Sequence, residues 1–264
     1  MRLSLAGAQN KLPLFYDGQV FFIPWGGAPS SHILKTPIPH LENTVVNVAF
    51  CMNLARRVGL AVPAAEVVSV DGAAHYLVAR YDRRKNPTGD LTRLHQEDFC
   101  QALGVPSDRK YEKEGGPGFR DCFDLVREWS SEPLPDSAAL LRWALFNFLI
   151  GNADAHGKNI AFLYADGRVR LAPFYDLIST AVYERVNNKF AMRMGGEKDP
   201  RYLLPHHLER FSQEAGIGLR AVHNALRKLI EQVEKEAASL GEDFCARYES
   251  PIIIPRILEV IHRR

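Results

Sequence analysis

Hydrophobic and polar residues alternate along much of the first 80 residues, which is the pattern of half-buried β-strands. Two Asp-Gly pairs, Asp17-Gly18 and Asp71-Gly72, each separate two such stretches and predict β-hairpins. Residues 42–58 instead place apolar side chains on one helical face and predict a helix ending at Gly59. The predicted strands are Leu12–Tyr16, Gln19–Pro24, His32–Lys35, Ala65–Val70 and Ala74–Arg80.

The rest of the chain follows a different pattern. Residues 82–95 are polar and rich in turn formers, and they predict an exposed loop. Beyond them one hairpin, Ile160–Tyr164 with Arg168–Leu171, interrupts a mostly helical pattern. Helices are predicted at 96–103, 119–130, 136–150, 206–215, 219–240 and 254–262. We therefore predict an α+β fold with two lobes, a small antiparallel β lobe (1–82) and a larger helical lobe (83–264).

Composition narrows the classes of protein. In 264 residues, 46% are hydrophobic and 24% charged, which excludes disorder as the default state. A net charge of +2 predicts no strong attraction to nucleic acid or to acidic membranes. The apolar runs are too short to cross a bilayer, and no signal peptide fits before Gln9. The cysteines form no CxxC pair and support no disulfide framework, so a cytoplasmic location is expected: Cys51, Cys100, Cys122 and Cys245.

The clearest chemical signal is an Asp-x-x-x-x-Asn segment, Asp154 to Asn159, followed by the predicted hairpin and then Asp176. In phosphotransferases with this spacing the Asp orients or deprotonates the attacking hydroxyl, and the Asn holds magnesium. A hairpin folded back on itself brings Asn159 and Asp176 together, so that both can bind one Mg²⁺ through oxygen. The competing interpretation is a turn-rich loop between a helix and a hairpin.

The small β lobe, called the front lobe below, offers candidate contacts for a nucleotide. Residues 6–11 form a loop of small residues that can present backbone N–H groups to phosphates: Ala6, Gly7, Ala8, Gln9, Asn10 and Lys11. Lys35 ends a short strand and is placed to neutralise phosphates, unless it is a solvated strand-end lysine. Arg80 and Tyr81 end the last strand, where a hinge would pass the adenine. Trp129 and Trp143 are expected to be buried.

At these residues the chain resembles the HipA family, the serine/threonine kinase toxins of bacterial toxin–antitoxin pairs. The resemblance extends from Ser4 to about residue 240 and implies a protein-kinase-like fold. Two of the matching blocks, Gln96-Glu97-Asp98 and Gly115-Gly116-Pro117-Gly118, are specific to this family rather than to kinases in general. The other matching blocks are 4–11, 32–35, 78–84, 93–101, 110–112, 154–159 and 171–176.

The resemblance implies roles for single residues. Asp154 is the catalytic base, Asn159 and Asp176 bind magnesium, and Lys35 contacts the phosphates of ATP. Ser4 takes the position of an autophosphorylated serine whose added charge repels nucleotide. The nucleotide side of the catalytic loop is lined by His156, Gly157 and Lys158. On the residues alone, His156 is equally a packed core histidine, and Lys158 either reaches the transferred phosphoryl group or is exposed.

The resemblance also implies partners. Family members phosphorylate aminoacyl-tRNA synthetases and are inhibited by a helix-turn-helix DNA-binding antitoxin. We therefore expect this chain to contact DNA only through that antitoxin. They carry an N-terminal subdomain that this sequence lacks, so either a separate small protein supplies it or the chain is a fragment. In the predicted front-lobe helix Val48 stands where the family has a Glu that pairs with the strand lysine, and Glu42 and Glu66 are candidate substitutes.

Two alternatives remain at this stage. The chain could be a small-molecule kinase of the aminoglycoside or choline type, because these share the Asp-x-x-x-x-Asn loop. It could also be a nucleotide-binding pseudokinase that holds an antitoxin, which Val48 favours. The segment 189–196 is a candidate border of a protein-substrate cleft, with a structural turn as the competing interpretation.

Overall fold

The computed structural model describes residues 9–248 and 252–264. These residues contain ten strands, of which eight precede residue 99: β1 (Lys11–Tyr16), β2 (Phe21–Phe22), β3 (His32–Lys35), β4 (Ala65–Val70), β5 (Ala73–Ala79), β6 (Arg83–Lys85), β7 (Leu91–Arg93), β8 (His95–Asp98), β9 (Ala161–Ala165) and β10 (Arg168–Leu171). The helices are α1 (Thr44–Arg57), α2 (Phe99–Ala102), α3 (Phe119–Trp129), α4 (Pro133–Leu149), α5 (Pro205–Ala215), α6 (Leu219–Arg247) and α7 (Ile253–His262). The predicted α+β class is confirmed. Ser4, Ala6, Gly7 and Ala8 lie outside the described residues, and their roles stay predictions.

The front sheet has five antiparallel strands in the order β2-β1-β3-β5-β4. Because side chains alternate between the faces of a strand, its register places Lys11, Lys35 and Tyr76 side by side on one face. The opposite face buries a small apolar cluster of Leu14, Leu34 and Leu77. Strand alternation in the sequence therefore gives the sheet two different faces. The face with Lys11, Lys35 and Tyr76 is called the chemical face below, and the opposite face is apolar and packs.

Helix α1 connects the sheet to the helical part of the molecule. It packs on β4 and β5 on one side and on α6 and α7 on the other. Eleven of its 14 residues are buried, which explains its weak amphipathic pattern. One apolar core runs from α1 through α4 to α7. The predicted division at residue 82 stays a prediction, since this core is continuous across it.

The predicted loop at 82–95 and helix at 96–103 are wrong. Residues 83–85 and 91–93 pair as a hairpin, and His95–Asp98 forms a strand that pairs with β9. Only Phe99–Ala102 is helical, with the Asp98 carboxylate accepting a hydrogen bond from the Gln101 N–H at 2.9 Å. Pairing with a strand more than 60 residues away overrides the local pattern here.

Smaller differences concern single elements. Of the predicted strand 19–24 only Phe21–Phe22 pairs, and α6 runs to Arg247 instead of 240. The Arg83 side chain lies in the predicted exposed loop but is buried against Asp82, with 2.8 Å between nitrogen and oxygen. Trp143 is fully buried as predicted, whereas Trp129 is 36% exposed.

Two further findings concern the chain as a whole. Cys51, Cys100, Cys122 and Cys245 are all free thiols, the first three buried and the last exposed. Within residues 9–248 and 252–264, no helix combines the length and the apolar character that a membrane crossing requires.

Candidate active site

A cleft opens between the chemical face of the front sheet and the segment that follows β10. Its internal volume is about 180 Å³. Apolar side chains form the sheet wall, and charged side chains stand at its inner end. The lining residues are Lys11, Ile33, Lys35, Pro63, Tyr76, Val78, Ala79, Arg80, Tyr81, Asp82, Gln96, Tyr175 and Asp176.

The inner end of the cleft is an ion pair between the Lys35 ammonium and the Asp176 carboxylate. The two residues are 141 positions apart in the sequence. Burial alone would raise the pKa of Asp176, but the positive charges of Lys35 and Lys11 hold it below its usual value. Asp176 is therefore ionised at neutral pH, and Lys35 faces a carboxylate inside the cleft.

Backbone hydrogen bonds fix the position of Asp176. The segment after β10 is tied to both parts of the molecule, through Ala172 N–H to Ala161 O and Phe174 N–H to Ala61 O, each at 2.8 Å. Asp176 itself has φ of 56°, a left-handed conformation that is uncommon outside glycine. Such a conformation persists where the surrounding structure enforces it, and it is frequent at functional sites.

The outer part of the cleft is aromatic. The rings of Tyr81 and Tyr175 stack with centroids 5.7 Å apart, and the Tyr81 hydroxyl donates a hydrogen bond to the Gln96 side chain. Burial raises the pKa of both tyrosines, so both stay neutral. Arg80, predicted at the hinge, lines the cleft, but its guanidinium is bound to Asp82 at 2.6 Å. This part of the wall is aromatic, and its two tyrosines carry no charge.

A rigid turn carries the predicted catalytic loop. Gly151 has φ of 68°, and a Cβ there would lie 2.7 Å from Ala181 Cβ and from Val260 Cγ1. The Thr180 hydroxyl donates to Gly151 O at 3.0 Å and accepts from Ala153 N–H at 2.8 Å. Only glycine fits this close approach, which holds the residues before Asp154 against the segment that follows Asp176.

Asp154 lies in a well-defined environment of its own. Its backbone N–H donates to the Asn152 side-chain oxygen at 3.0 Å, and its carboxylate accepts a hydrogen bond from the Tyr111 hydroxyl. His156 Nε2 is 3.8 Å from the same carboxylate oxygen. Burial, followed by the charge of Lys110, lowers the pKa of His156 to about 3. His156 is thus a neutral ring beside Asp154, packed edge-on against Tyr111.

None of the loop residues 154–159 lines the cleft. Gly157 packs so closely on Pro117 that a Cβ would come within 2.4 Å of it. The Lys158 ammonium pairs with Asp98 at 3.3 Å. His156 is buried rather than facing the cleft. The structure therefore brings Lys11, Lys35 and Asp176 together, and keeps these three loop residues behind them.

Gln9 and Asn10 lie at the edge of the sheet beside β3. The Gln9 side-chain amide donates to Thr36 O at 2.6 Å, and Asn10 O accepts from Thr36 N–H at 3.2 Å. Lys11 continues from them into the cleft, where burial lowers its pKa.

Asn159 and Asp176 offer the donors that magnesium prefers. Asn159 is buried, and its side-chain oxygen accepts weakly from His156 N–H at 3.5 Å. Asp176 presents an ionised carboxylate, so each residue offers an oxygen of the kind that a hard cation takes. That both bind one Mg²⁺ stays a prediction. Among the described residues no cluster of three or more His, Cys, Asp or Glu is arranged to hold a metal.

The proposed substitutes for the missing glutamate are wrong. Val48 is buried in α1, Glu42 and Glu66 are exposed, and the register of β4 puts Glu66 on the face opposite Lys35. The carboxylate that pairs with Lys35 is Asp176. Val48 packs in the apolar core and carries no charge that could pair with Lys35.

Sequence reasoning missed two residues that organise the site. Asn47 in α1 accepts from Ser179 N–H and donates to Ser179 O, both at 2.9 Å, and so ties the helix to the segment after Asp176. Tyr111, in the family-matching block 110–112, donates a hydrogen bond to the Asp154 carboxylate. An Asn among the apolar residues of a predicted helix is a sequence signal that could have indicated Asn47. No local signal marks the second, because its partner is 43 residues away.

Comparison with known proteins bears on both fold and family. The sequence model described as the HipA-like C-terminal domain matches residues 3–239. The chain is 45% identical to "Putative kinase Y4mE" of Sinorhizobium fredii, over 92% of this chain and 58% of that protein. It is 34% identical to the serine/threonine-protein kinase toxin HipA of Shewanella oneidensis, over 96% of this chain and 63% of that protein. The chain thus spans about 60% of the length of these curated relatives.

Solved structures agree with this similarity. HipA of Shewanella oneidensis, in a complex with HipB and operator DNA, superposes with a TM-score of 0.88 at 31% identity, covering 99% of this chain and 65% of that chain. The Helicobacter pylori proinflammatory kinase CtkA superposes with a TM-score of 0.60 at 13% identity, covering 96% and 89%. The second likeness concerns the fold alone.

Proposed function

The chain belongs to the family of the HipA-like C-terminal domain, and on that premise we propose that it is an ATP- and magnesium-dependent serine/threonine protein kinase. The observation that carries the proposal is the Lys35–Asp176 ion pair at the inner end of an apolar, aromatic cleft. A lysine and a carboxylate placed in this way match the two groups with which kinases bind phosphates and metal.

In this proposal the parts of ATP contact different walls of the cleft. The adenine stacks in the outer part, where Tyr81 and Tyr175 form a neutral aromatic surface. The phosphates point inward to Lys35 and Lys11, whose charges are partly desolvated. Binding requires Lys35 to exchange the Asp176 carboxylate for a phosphate oxygen, so the ion pair marks the nucleotide-free state.

Asn159 and Asp176 would hold magnesium, which neutralises charge on the phosphates when bound. Asp154 receives the substrate hydroxyl and orients it or takes its proton. Tyr111 fixes the Asp154 carboxylate by donating a hydrogen bond to it, and the neutral ring of His156 keeps that side of the loop dry without adding charge. The chain's own contribution is therefore positioning and exclusion of water.

For the biological role we propose a toxin of a bacterial toxin–antitoxin system that acts in the cytoplasm. A relative is named as a kinase toxin, and a solved relative forms a complex with HipB and operator DNA. The proposed partners are a helix-turn-helix antitoxin, a small protein that supplies an N-terminal subdomain, and a translation factor such as an aminoacyl-tRNA synthetase as substrate. Autophosphorylation at Ser4 is the proposed off-switch.

The test separates binding from chemistry. Asp154→Asn keeps the cleft intact, so calorimetry with MgATP should show unchanged affinity, while transfer of label from γ-labelled ATP to protein in a cell lysate should be lost. Chelation of magnesium should stop transfer by the wild-type chain. Transfer that persists in the Asp154→Asn variant overturns the assigned base.

One observation favours a second candidate, a nucleotide-binding pseudokinase. Val48 provides no ion pair for Lys35, so Asp176 holds the lysine in place of a helix carboxylate. Growth arrest that persists on expression of Asp154→Asn would support this candidate. Label that appears on a small molecule rather than on a protein band would favour the aminoglycoside or choline type of kinase.

The Ser4 switch has its own experiment. Ser4→Ala should change toxicity, because the off-switch is removed. Intact-mass analysis of wild-type protein incubated with MgATP should show a phosphate that the variant lacks. Absence of phosphate on Ser4 in wild-type protein overturns this part of the proposal.

A further inference from the structure

The segment 110–118 contains two of the family-matching blocks, and of its residues only Tyr111 has a role in the proposed function. We call this segment the bracket, because it contacts the catalytic loop at two points. The Tyr111 hydroxyl donates a hydrogen bond to the Asp154 carboxylate. Pro117 lies so close to Gly157 that a Cβ on that glycine would come within 2.4 Å of the proline ring. The bracket and the loop that carries Asp154 are therefore fixed relative to each other.

The bracket is also held by the chain on its other side. The backbone N–H of Glu112 donates to Ala191 O at 3.2 Å, and the Glu112 carboxylate accepts a hydrogen bond from the Arg193 N–H. Gly116 lies directly over the start of the bracket, where a Cβ would come within 2.7 Å of the carbonyl carbon of Lys110. Close packing and hydrogen bonds therefore fix the backbone that carries Lys110.

Lys110 is a buried lysine beside the proposed catalytic base. The residue is 8% exposed, and its ammonium lies 5.1 Å from the centre of the Tyr111 ring, whose hydroxyl binds Asp154. Burial lowers the pKa of Lys110, and the negative charge of Asp154 opposes this effect. Lysine is rarely buried without a group of opposite charge nearby. The fold thus keeps a partly desolvated cation next to the carboxylate that receives the substrate hydroxyl.

The charge of Lys110 also acts towards the inner end of the cleft. Lys158 and Lys11 both lower its pKa through their positive charges. Lys11 lines the inner end of the cleft, to which the phosphates of ATP point in the proposed function. A phosphoryl group that passes from ATP to a hydroxyl at Asp154 has to cross the space between these two places. Lys110 is coupled to both of them.

The sequence left open whether Lys158 reaches the transferred phosphoryl group. In the structure the Lys158 ammonium pairs with Asp98 at 3.3 Å, and its side chain is 32% exposed. Lys110 is better buried, is fixed by the bracket and lies beside Asp154. A cation that is fixed before the reaction stabilises charge in the transition state without the cost of reorganisation.

We propose that Lys110 is a further catalytic residue, which binds the γ-phosphoryl group of ATP and stabilises it during transfer. The oxygen of the substrate hydroxyl forms a bond to the γ-phosphorus, the bond from that phosphorus to the bridging oxygen breaks, and ADP leaves with the electron pair. The hydroxyl proton goes to Asp154, and Lys110 keeps its own proton throughout. The inference deepens the proposed kinase function and rests on it.

The test compares the affinities for MgATP and MgADP by calorimetry, in chains that all carry Asp154→Asn. This background prevents transfer and removes the negative charge that Lys110 would otherwise only neutralise. The two nucleotides differ by the γ-phosphoryl group, so the ratio of their affinities reports contact with that group. Lys110→Met should lower the ratio about tenfold, while the affinity for MgADP changes less than about twofold. An unchanged ratio, or an equal loss of affinity for both nucleotides, overturns the proposal.

The matched control is Lys113→Met, which removes an exposed lysine of the same bracket that pairs with Glu114 at 3.3 Å. Both affinities should stay within about twofold of the parent chain, because this lysine faces solvent. Thermal unfolding is measured on every variant. If Lys110→Met does not fold, the comparison is made with Lys110→Gln, which keeps a polar side chain and should lower the ratio by a similar factor.

A rate measurement separates this inference from the proposed function. With Asp154 intact, Lys110→Met should lower label transfer at saturating MgATP about a hundredfold. If the variant transfers label at the wild-type rate, the kinase function stands and Lys110 is a structural lysine. If the wild-type chain transfers no label although the ratio depends on Lys110, the kinase function fails, and with it the catalytic role of this residue.

Discussion

Two carboxylates with depressed pKa values stand in very different surroundings. Asp136, at the start of α4, accepts hydrogen bonds from the Ser130 hydroxyl at 2.6 Å, the Leu171 N–H at 2.9 Å and the Arg170 guanidinium at 2.9 Å. Asp176 pairs with Lys35, the one hydrogen-bond partner of its side chain in the described part of the chain, and its backbone is left-handed.

The difference separates structure from function. Asp136 joins the loop before α4 to strand β10, and its bonding capacity is used within the protein. Asp176 has unused acceptor capacity in a cleft, held in a costly backbone conformation. A charged group that is fully satisfied stabilises the fold, whereas one kept short of partners is available to a ligand.

The largest expected effect comes from Asp176→Asn. Asparagine tolerates the left-handed conformation, so the fold should survive. Phosphotransfer should fall by about a thousandfold, roughly 4 kcal/mol of transition-state stabilisation, since the metal-binding carboxylate is lost. Label transfer and thermal unfolding should be measured on the same preparation. Full activity would show that Asp176 is a structural residue like Asp136.

Asp136→Ala should lower the stability of the fold, whereas Asp176→Asn should lower phosphotransfer. Asp136→Ala leaves the Ser130 hydroxyl and the Leu171 N–H without their acceptor and removes the buried carboxylate that pairs with Arg170, and we expect the free energy of unfolding to fall by about 3 kcal/mol. Urea denaturation measures it. The matched control is Asp243→Ala, which removes an exposed ion pair with Arg57 and should cost less than about 1 kcal/mol. Equal losses in the two variants would contradict the comparison.

Lys35→Met tests the other half of the cleft pair. We expect MgATP to bind about thirtyfold more weakly, close to 2 kcal/mol, because a phosphate-binding charge is removed from a partly desolvated site. Calorimetry gives the affinity, with Lys85→Met on the exposed strand β6 as control. An unchanged affinity for MgATP would mean that Lys35 holds Asp176 and nothing else.

At neutral pH the smallest expected effect is that of His156, and it grows as the pH falls. The pKa of His156 is about 3 in the folded chain against an ordinary value of 6.5, so the unfolded chain binds the extra proton between these values. Its contribution to stability is present above pH 6.5 and is lost as pH falls towards 3, by at most about 1.4 kcal/mol per pH unit. His156→Gln should flatten this slope in denaturation at several pH values. The same substitution at exposed His223 should leave the slope as it is.

Local sequence patterns determined most of the elements of this fold. Alternation and Asp-Gly turns located the front sheet, and helical periodicity located α1 and α3 to α7, because these signals depend on neighbours within a few residues. They failed for β8, whose pairing with β9 is set from more than 60 residues away. The spacing of Asp154, Asn159 and Asp176 marked the candidate site from the sequence alone.

Only the tertiary structure decided how those residues are used. It paired Lys35 with Asp176 across 141 positions, placed Tyr111 on Asp154, and turned Lys158 towards Asp98. It also formed a second concavity, on the helical part of the molecule, from segments that no sequence window contains. The physical reason is that charge pairing and hydrogen bonding act over a few ångströms in space, whatever the separation along the chain.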